Sequence, residues 1–129
     1  MKVSEKEIQA VCNLAPFDRY QYFIKRVADS ERMYSLVDNN GDYAISDVDE
    51  SVLFSVWSAP EFAQMCIQDG WKDFQLKEIT IEEFEDKVID EIEQNGLLIN
   101  VFPVGNKSGF VVDLNEFARD LSEEMKKYH

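Results

Sequence analysis

Four times along this chain an apolar residue precedes Ser, Thr or Asp, and three places after that hydroxyl or carboxyl come Glu and a second apolar residue. The instances are Val3-Ser4-Glu7-Ile8, Trp57-Ser58-Glu61-Phe62, Ile79-Thr80-Glu83-Phe84 and Val112-Asp113-Glu116-Phe117. The first amides of a helix have no acceptor within the helix. This pattern supplies one from the cap side chain, lets Glu reach back to the cap amide, and clasps the entry with an apolar pair. The chain is thereby committed to helix starts at Ser4, Ser58, Thr80 and Asp113.

Apolar spacing continues two of these starts along one face, through Ile81, Phe84, Val88 and Ile92 and through Leu114, Phe117, Leu121 and Met125. Gly70 and Gly96 supply stops. A fifth helix begins at Pro16, where a missing N–H costs nothing, runs through Phe17, Tyr20, Phe23, Ile24 and Val27, and fades near Asp29 and Ser30.

Strands fill the intervals. Val52 to Trp57 and Leu97 to Phe102 are almost continuously apolar, as strands covered on both faces are, whereas Met33 to Val37 and Tyr43 to Ile45 read as shorter and peripheral. Asn39-Asn40-Gly41-Asp42 is a hairpin turn, Phe110 to Val112 pairs with Leu97 to Phe102 across Gly105 to Gly109, and Phe74 to Glu78 adds a short strand. The expected architecture is α/β, with α+β the alternative. It has a mixed sheet of about five strands flanked by about five helices, in one domain over residues 1–129.

Function classes are narrowed by charge and by what accompanies each reactive side chain. Thirteen Lys and Arg against 26 Asp and Glu give a net charge of -13, which repels nucleic-acid backbones and anionic lipid and suits a basic protein partner. No apolar run approaches the roughly 18 residues of a membrane helix. The two cysteines, Cys12 and Cys66, lack paired spacing, and the amino terminus lacks the apolar stretch of a signal peptide, so the expected compartment is the cytoplasm. His129 is the single histidine, so neither a Ser-His nor a Cys-His nucleophile pair is expected. No catalytic residue, metal ligand or cofactor is assigned.

Asp38 to Asp49 resembles a calcium loop in its oxygen spacing. It departs at Tyr43, where such a loop turns on Gly, and at Asp49, where it carries a bidentate Glu, so a hairpin turn is the preferred reading. Gly105-Asn106-Lys107-Ser108-Gly109 lacks the spacing of a phosphate loop. The acids from Glu78 through Glu82, Glu83, Glu85, Asp86, Asp90, Glu91 and Glu93 mostly fall on the polar face of a helix and read as a solvated surface. Glu83 is already taken by its capping role.

Arg19-Tyr20-Gln21-Tyr22-Phe23-Ile24-Lys25-Arg26-Val27-Ala28-Asp29, the acidic hairpin at Asp38 to Ile45, Val56-Trp57-Ser58-Ala59-Pro60-Glu61-Phe62-Ala63, and Gly96-Leu97-Leu98 through Val101-Phe102-Pro103 follow one another in an order that resembles the bacterial family catalogued as domain of unknown function 2750. The resemblance covers nearly the whole chain. It implies a small cytoplasmic bacterial protein and transfers no activity, cofactor or site. A fold-level likeness to small α/β domains among secretion-enhancing and immunity-type bacterial proteins adds only an analogy.

Two functional readings follow. The first is a noncatalytic interaction module, in one version immunity-like, whose Glu82 to Glu93 face blocks a basic partner. The second is a small-ligand domain or enzyme using Arg19, Tyr22, Trp57 and Trp71 around the first helices and central strand ends, since Arg and aromatic groups hold anions or planar ligands. Homodimerisation through surface aromatics is a third.

Overall fold

The computed structural model describes residues 3–69, 72–104 and 109–128. Gly70, Trp71, the 105–108 loop and His129 lie outside the described residues, as does the Cys66 side chain. The described elements run α1 (Glu5–Cys12), α2 (Pro16–Ser30), β1 (Arg32–Val37), β2 (Ile45–Val48), β3 (Ser51–Val56), α3 (Pro60–Asp69), β4 (Gln75–Thr80), α4 (Ile81–Glu83), a π-helical turn (Phe84–Val88), α5 (Ile89–Asn95), β5 (Leu98–Val101), β6 (Phe110–Val112) and α6 (Leu114–Met125), with a final 3-10 turn over Lys126–Tyr128.

Three of the four expected caps are made. Ser4 Oγ accepts from the Glu7 amide at 3.1 Å, Thr80 Oγ1 from Glu83 at 3.1 Å, and Asp113 Oδ1 from Glu116 at 2.8 Å. The fourth differs: α3 starts at Pro60, and Ser58 Oγ is buried with no hydrogen-bond partner among the described residues. Proline at the first helical position moves the start two residues past the Ser58 cap, since its fixed φ suits that place. Gly96 ends α5 with φ 62°, as a glycine stop requires.

β3 and β5 are parallel neighbours in a four-stranded sheet of order β2-β3-β5-β6, whose other pairings are antiparallel; β1 and β4 form a separate antiparallel pair. The expected mixed sheet is therefore present but divided. The reason lies along one edge of β3. β2 covers that edge only as far as Phe54, where Ile45 pairs, and beyond it the Trp57 backbone exchanges two hydrogen bonds of 2.8 Å with Tyr34 of β1. Ser35 Oγ donates to the Ser55 carbonyl at 2.7 Å in the gap between. Both β1 and β2 thus serve one edge in succession, and the turn between them bends the ladder. Asp38 holds that turn, its Oδ1 accepting from the Asn40 and Asp42 amides at 2.9 and 3.0 Å.

One face of the four-stranded sheet, carrying Phe54, Val56, Ile99, Val101 and Val112, is buried under α2 and α6. Phe23 of α2 and Phe84 of the π turn both meet the Phe117 ring, at centroid separations of 5.8 and 5.5 Å. All four residues of the Ile81, Phe84, Val88 and Ile92 stripe are buried. Their spacing of three, four and four is that of one α-helical face; within the stretch the Ile89 amide reaches back to the Phe84 carbonyl in a π turn.

Candidate partner-binding surface

Of the four residues read from the sequence as ligand groups, two are taken up by the fold itself. Arg19 is only 3% exposed. Its Nε donates to the Phe102 carbonyl at 3.1 Å and its Nη1 to the Leu14 carbonyl at 2.6 Å, joining the α1–α2 connection to the end of β5. Burial lowers its pKa from the ordinary guanidinium range, opposed by the Cys12 thiol, and raises that of Cys12 in turn. Trp57 is 1% exposed and its indole N–H donates to the Pro103 carbonyl at 2.8 Å.

Both side chains hold the same turn. Phe102 carries a left-handed φ of 66°, a conformation that costs energy for a residue with a β-carbon and persists only where its surroundings hold it. Its amide donates to the Val56 carbonyl at 2.9 Å, its carbonyl is gripped by Arg19, and the next carbonyl is gripped by Trp57. The aromatic and guanidinium groups that suggested a ligand cage are a clamp on the backbone. Trp57, expected as the apolar clasp of α3, is the hinge between the two sheets instead.

Tyr22 is half-buried; its hydroxyl donates to Glu7 Oε2, which ties α2 to α1. Trp71 lies outside the described residues. The four candidates therefore do not converge on one described pocket.

The tyrosines register both burial and the acidic surface. Burial is the leading cause raising Tyr20, Tyr22, Tyr34 and Tyr43, followed by the carboxylates of Asp120, Glu7 and Glu78 for the first three. Tyr43, in the hairpin after β1, is pushed up to about 12 by burial and then by the charges of Glu83 and Glu91. An unfolded phenol ionises near pH 10, so above that pH the unfolded chain holds fewer protons than the folded one. The stability these phenols contribute is present below about pH 10 and is lost as pH climbs through their folded values. An absorbance titration is expected to show phenolate from these four appearing together with the loss of far-ultraviolet circular dichroism. Complete phenolate formation near pH 10 with the fold intact would contradict this.

Two grooves flank α6. One, of about 440 Å³, lies between α2 and α6 and is lined by Phe17, Tyr20 and Ile24, by the acids Asp120, Glu123 and Glu124, and by Lys25 and Lys127. Tyr20 donates to Asp120 Oδ2 there at 2.7 Å. Phe17, assigned by periodicity to the buried face of α2, is 50% exposed and meets the Phe110 ring edge-on at 5.4 Å. The second groove, of about 300 Å³ and mostly apolar, lies between the 81–95 helical stretch and α6.

The polar face of that stretch is the acidic surface foreseen in the sequence. Glu82, Glu85, Asp86, Asp90, Glu91 and Glu93 are exposed, and Lys87 is the single cation among them. Two acids of the series read from the sequence are in ion pairs, Glu83 with Lys77 at 3.1 Å and Glu78, before the helical stretch, with Arg32 at 3.7 Å. No helix among the described residues is long and apolar enough to cross a membrane.

Fold and surface together define a small open-sheet domain of mixed α/β content, with a packed aromatic core and an acidic helical flank. The chain belongs to the family described as "Protein of unknown function (DUF2750)", whose model matches residues 20–121. That span takes in the Arg19-adjacent helix, the hairpin, the Trp57 hinge and the 81–95 stretch. No curated protein matches. Among solved structures, Tic22 from Plasmodium falciparum is similar over 60% of this chain at 17% identity, with a TM-score of 0.39. The chain spans 45% of that protein's length, and the likeness carries no argument about fold or function.

Proposed function

We propose that this chain is a noncatalytic interaction module that engages a basic protein partner through the carboxylates of the 81–95 helical stretch. A toxin-neutralising role in a bacterial cytoplasm is one concrete form of that proposal. The observation that carries it is the run of six exposed carboxylates from Glu82 to Glu93 opposed by Lys87 alone. Such a surface focuses a negative potential, raises the encounter rate with a basic patch, and repels nucleic acid and acidic proteins. The commitment of Arg19 and Trp57 to backbone carbonyls supports the same reading, because the groups best suited to a small anionic or planar ligand are occupied.

The test is a charge reversal that leaves the core untouched. Glu85→Lys, Asp86→Lys, Asp90→Lys and Glu93→Lys combined change exposed positions only, so the circular dichroism spectrum is expected to remain that of the parent. Pull-down from native lysate at low and high salt is expected to retain a salt-sensitive basic protein on the parent chain and to lose it on the variant. If parent and variant retain the same proteins at both salt concentrations, the proposal fails.

A second reading rests on the α2–α6 groove. Its volume lies within the roughly 300–1,000 Å³ of ordinary ligand sites, and its aromatic rings and carboxylates suit a small amine or guanidine. A thermal-shift screen of polyamines and arginine derivatives checks it; stabilisation that Phe17→Ala removes would support it, and no stabilisation by any of them would reject it.

A further inference from the structure

The apolar groove beside the π turn is open on one side, and its construction suits one kind of occupant. Ile81, Phe84 and Ile89 line it from one helical stretch, and Ala118, Leu121 and Met125 from α6. The α6 contributions recur at the spacing of a single helical face, so the groove is the channel left between two splayed helices. A third helix is the shape that fills such a channel with regular packing.

Adjacent residues of this stretch divide between core and groove: Val88 is 2% exposed in the core, and Ile89, just past the π turn, stands half-buried at the groove. On the opposite wall Ala118 and Ser122 are small, allowing close approach of a partner backbone, and Met125 is a flexible side chain that adapts to irregular surfaces.

Charge decides who that partner is. Glu85 lines the groove, and Glu82 and Asp86 stand exposed on the same helical stretch, all three without an ion-pair partner among the described residues, while Lys126 lines the α6 wall. A second copy of this chain would bring a net charge of -13 against the same sign, so self-association through this channel is opposed. We propose that the groove between the 81–95 stretch and α6 seats an amphipathic helix of another protein, its apolar face on Ile89 and Met125 and its basic flank against Glu82, Glu85 and Asp86. This deepens the interaction reading above and rests on it.

The test uses the full chain and synthetic peptides as probes. One peptide of Leu and Lys places Leu on a single helical face; a second has the same composition in scrambled order; a third replaces Lys by Glu. Fluorescence anisotropy is expected to show the patterned Leu/Lys peptide binding about tenfold more tightly than the scrambled one. Ser122→Trp, at an exposed position that fills the channel without changing charge, is expected to abolish that advantage, and Glu85→Lys to weaken the patterned peptide further at low salt than at high salt. Ala118→Trp repeats the block from a half-buried position where circular dichroism confirms folding.

Equal binding of patterned and scrambled peptides, unchanged by Ser122→Trp, would overturn the groove assignment while leaving the acidic interaction reading in place. Absence of binding by either basic peptide at low salt would overturn both. Equal binding of the Leu/Glu peptide would show that the channel takes any apolar helix, and a sedimenting dimer dispersed by Ser122→Trp would show that a second copy fills it. Either result sinks the basic-helix assignment.

Discussion

Gly109→Ala is expected to unfold this protein or lower its thermal midpoint by about 15 °C or more, corresponding to roughly 4 kcal/mol or more in a domain of this size. A β-carbon at position 109 would stand 2.0 Å from the Val101 carbonyl oxygen, 2.6 Å from its carbon and 2.8 Å from the Phe102 carbonyl carbon. Each obstacle is backbone, so no rotamer change relieves the clash. Backbone movement is also opposed, because the Gly109 amide donates to Asn100 Oδ1 at 2.8 Å and the next residue, Phe110, is in register with Val101. Relief would require parting β6 from β5 and disturbing the Phe102 turn that Arg19 and Trp57 clamp.

The comparison variant is Gly41→Ala. Gly41 has φ 83° in the hairpin, yet an added β-carbon meets nothing within 4 Å. Its cost is therefore the left-handed penalty alone, about 1–2 kcal/mol. Thermal melts followed by circular dichroism check both, and a Gly109→Ala midpoint within a few degrees of the parent would show that the β5–β6 junction yields more easily than its geometry indicates.

Trp57→Ala is expected to cost about 4 kcal/mol or more, in the range for emptying a large buried aromatic site. Two losses coincide there: the indole is almost fully buried, and its N–H donates to the Pro103 carbonyl at 2.8 Å, at the residue whose backbone joins β1 to the end of β3. Trp57→Phe keeps most of the apolar contact and removes only the indole donor, so its expected cost is that of one hydrogen bond, about 0.5–1.5 kcal/mol. Urea unfolding of the two variants separates packing from hydrogen bonding. Equal loss for alanine and phenylalanine would mean that the Pro103 bond carries the whole effect; negligible loss for both would mean that the sheets do not depend on this hinge.

These two sites differ in how far they announce themselves in the sequence. Gly109 sits in a glycine-flanked connection that reads as a hairpin loop, which explains a small residue but not the approach of Val101. Trp57 lies in an apolar run followed by a cap pattern, so locally it is a helix clasp. Its indole bond to Pro103, 46 positions away, has no local signature. Arg19 had a signal that pointed the right way: it is four residues before Phe23 on the buried stripe of α2, where a charged head must find acceptors inside. Phe17 misled in the opposite sense, because helical periodicity places it on that stripe without saying where the stripe ends.

The sequence by itself determined the helix starts at Ser4, Thr80 and Asp113, the Asp38 to Asp42 turn, the antiparallel β5–β6 pairing and the exposed acids from Glu82 to Glu93. Each of these is settled by residues close enough along the chain to satisfy one another's amides, or by a single helical period. Only the tertiary structure decided that β3 passes one edge from β2 to β1, that Arg19 and Trp57 grip the Phe102 turn, and that a groove is left between the 81–95 stretch and α6. Those outcomes depend on which distant carbonyls and rings compete for the same space, and that competition is resolved only when the core closes.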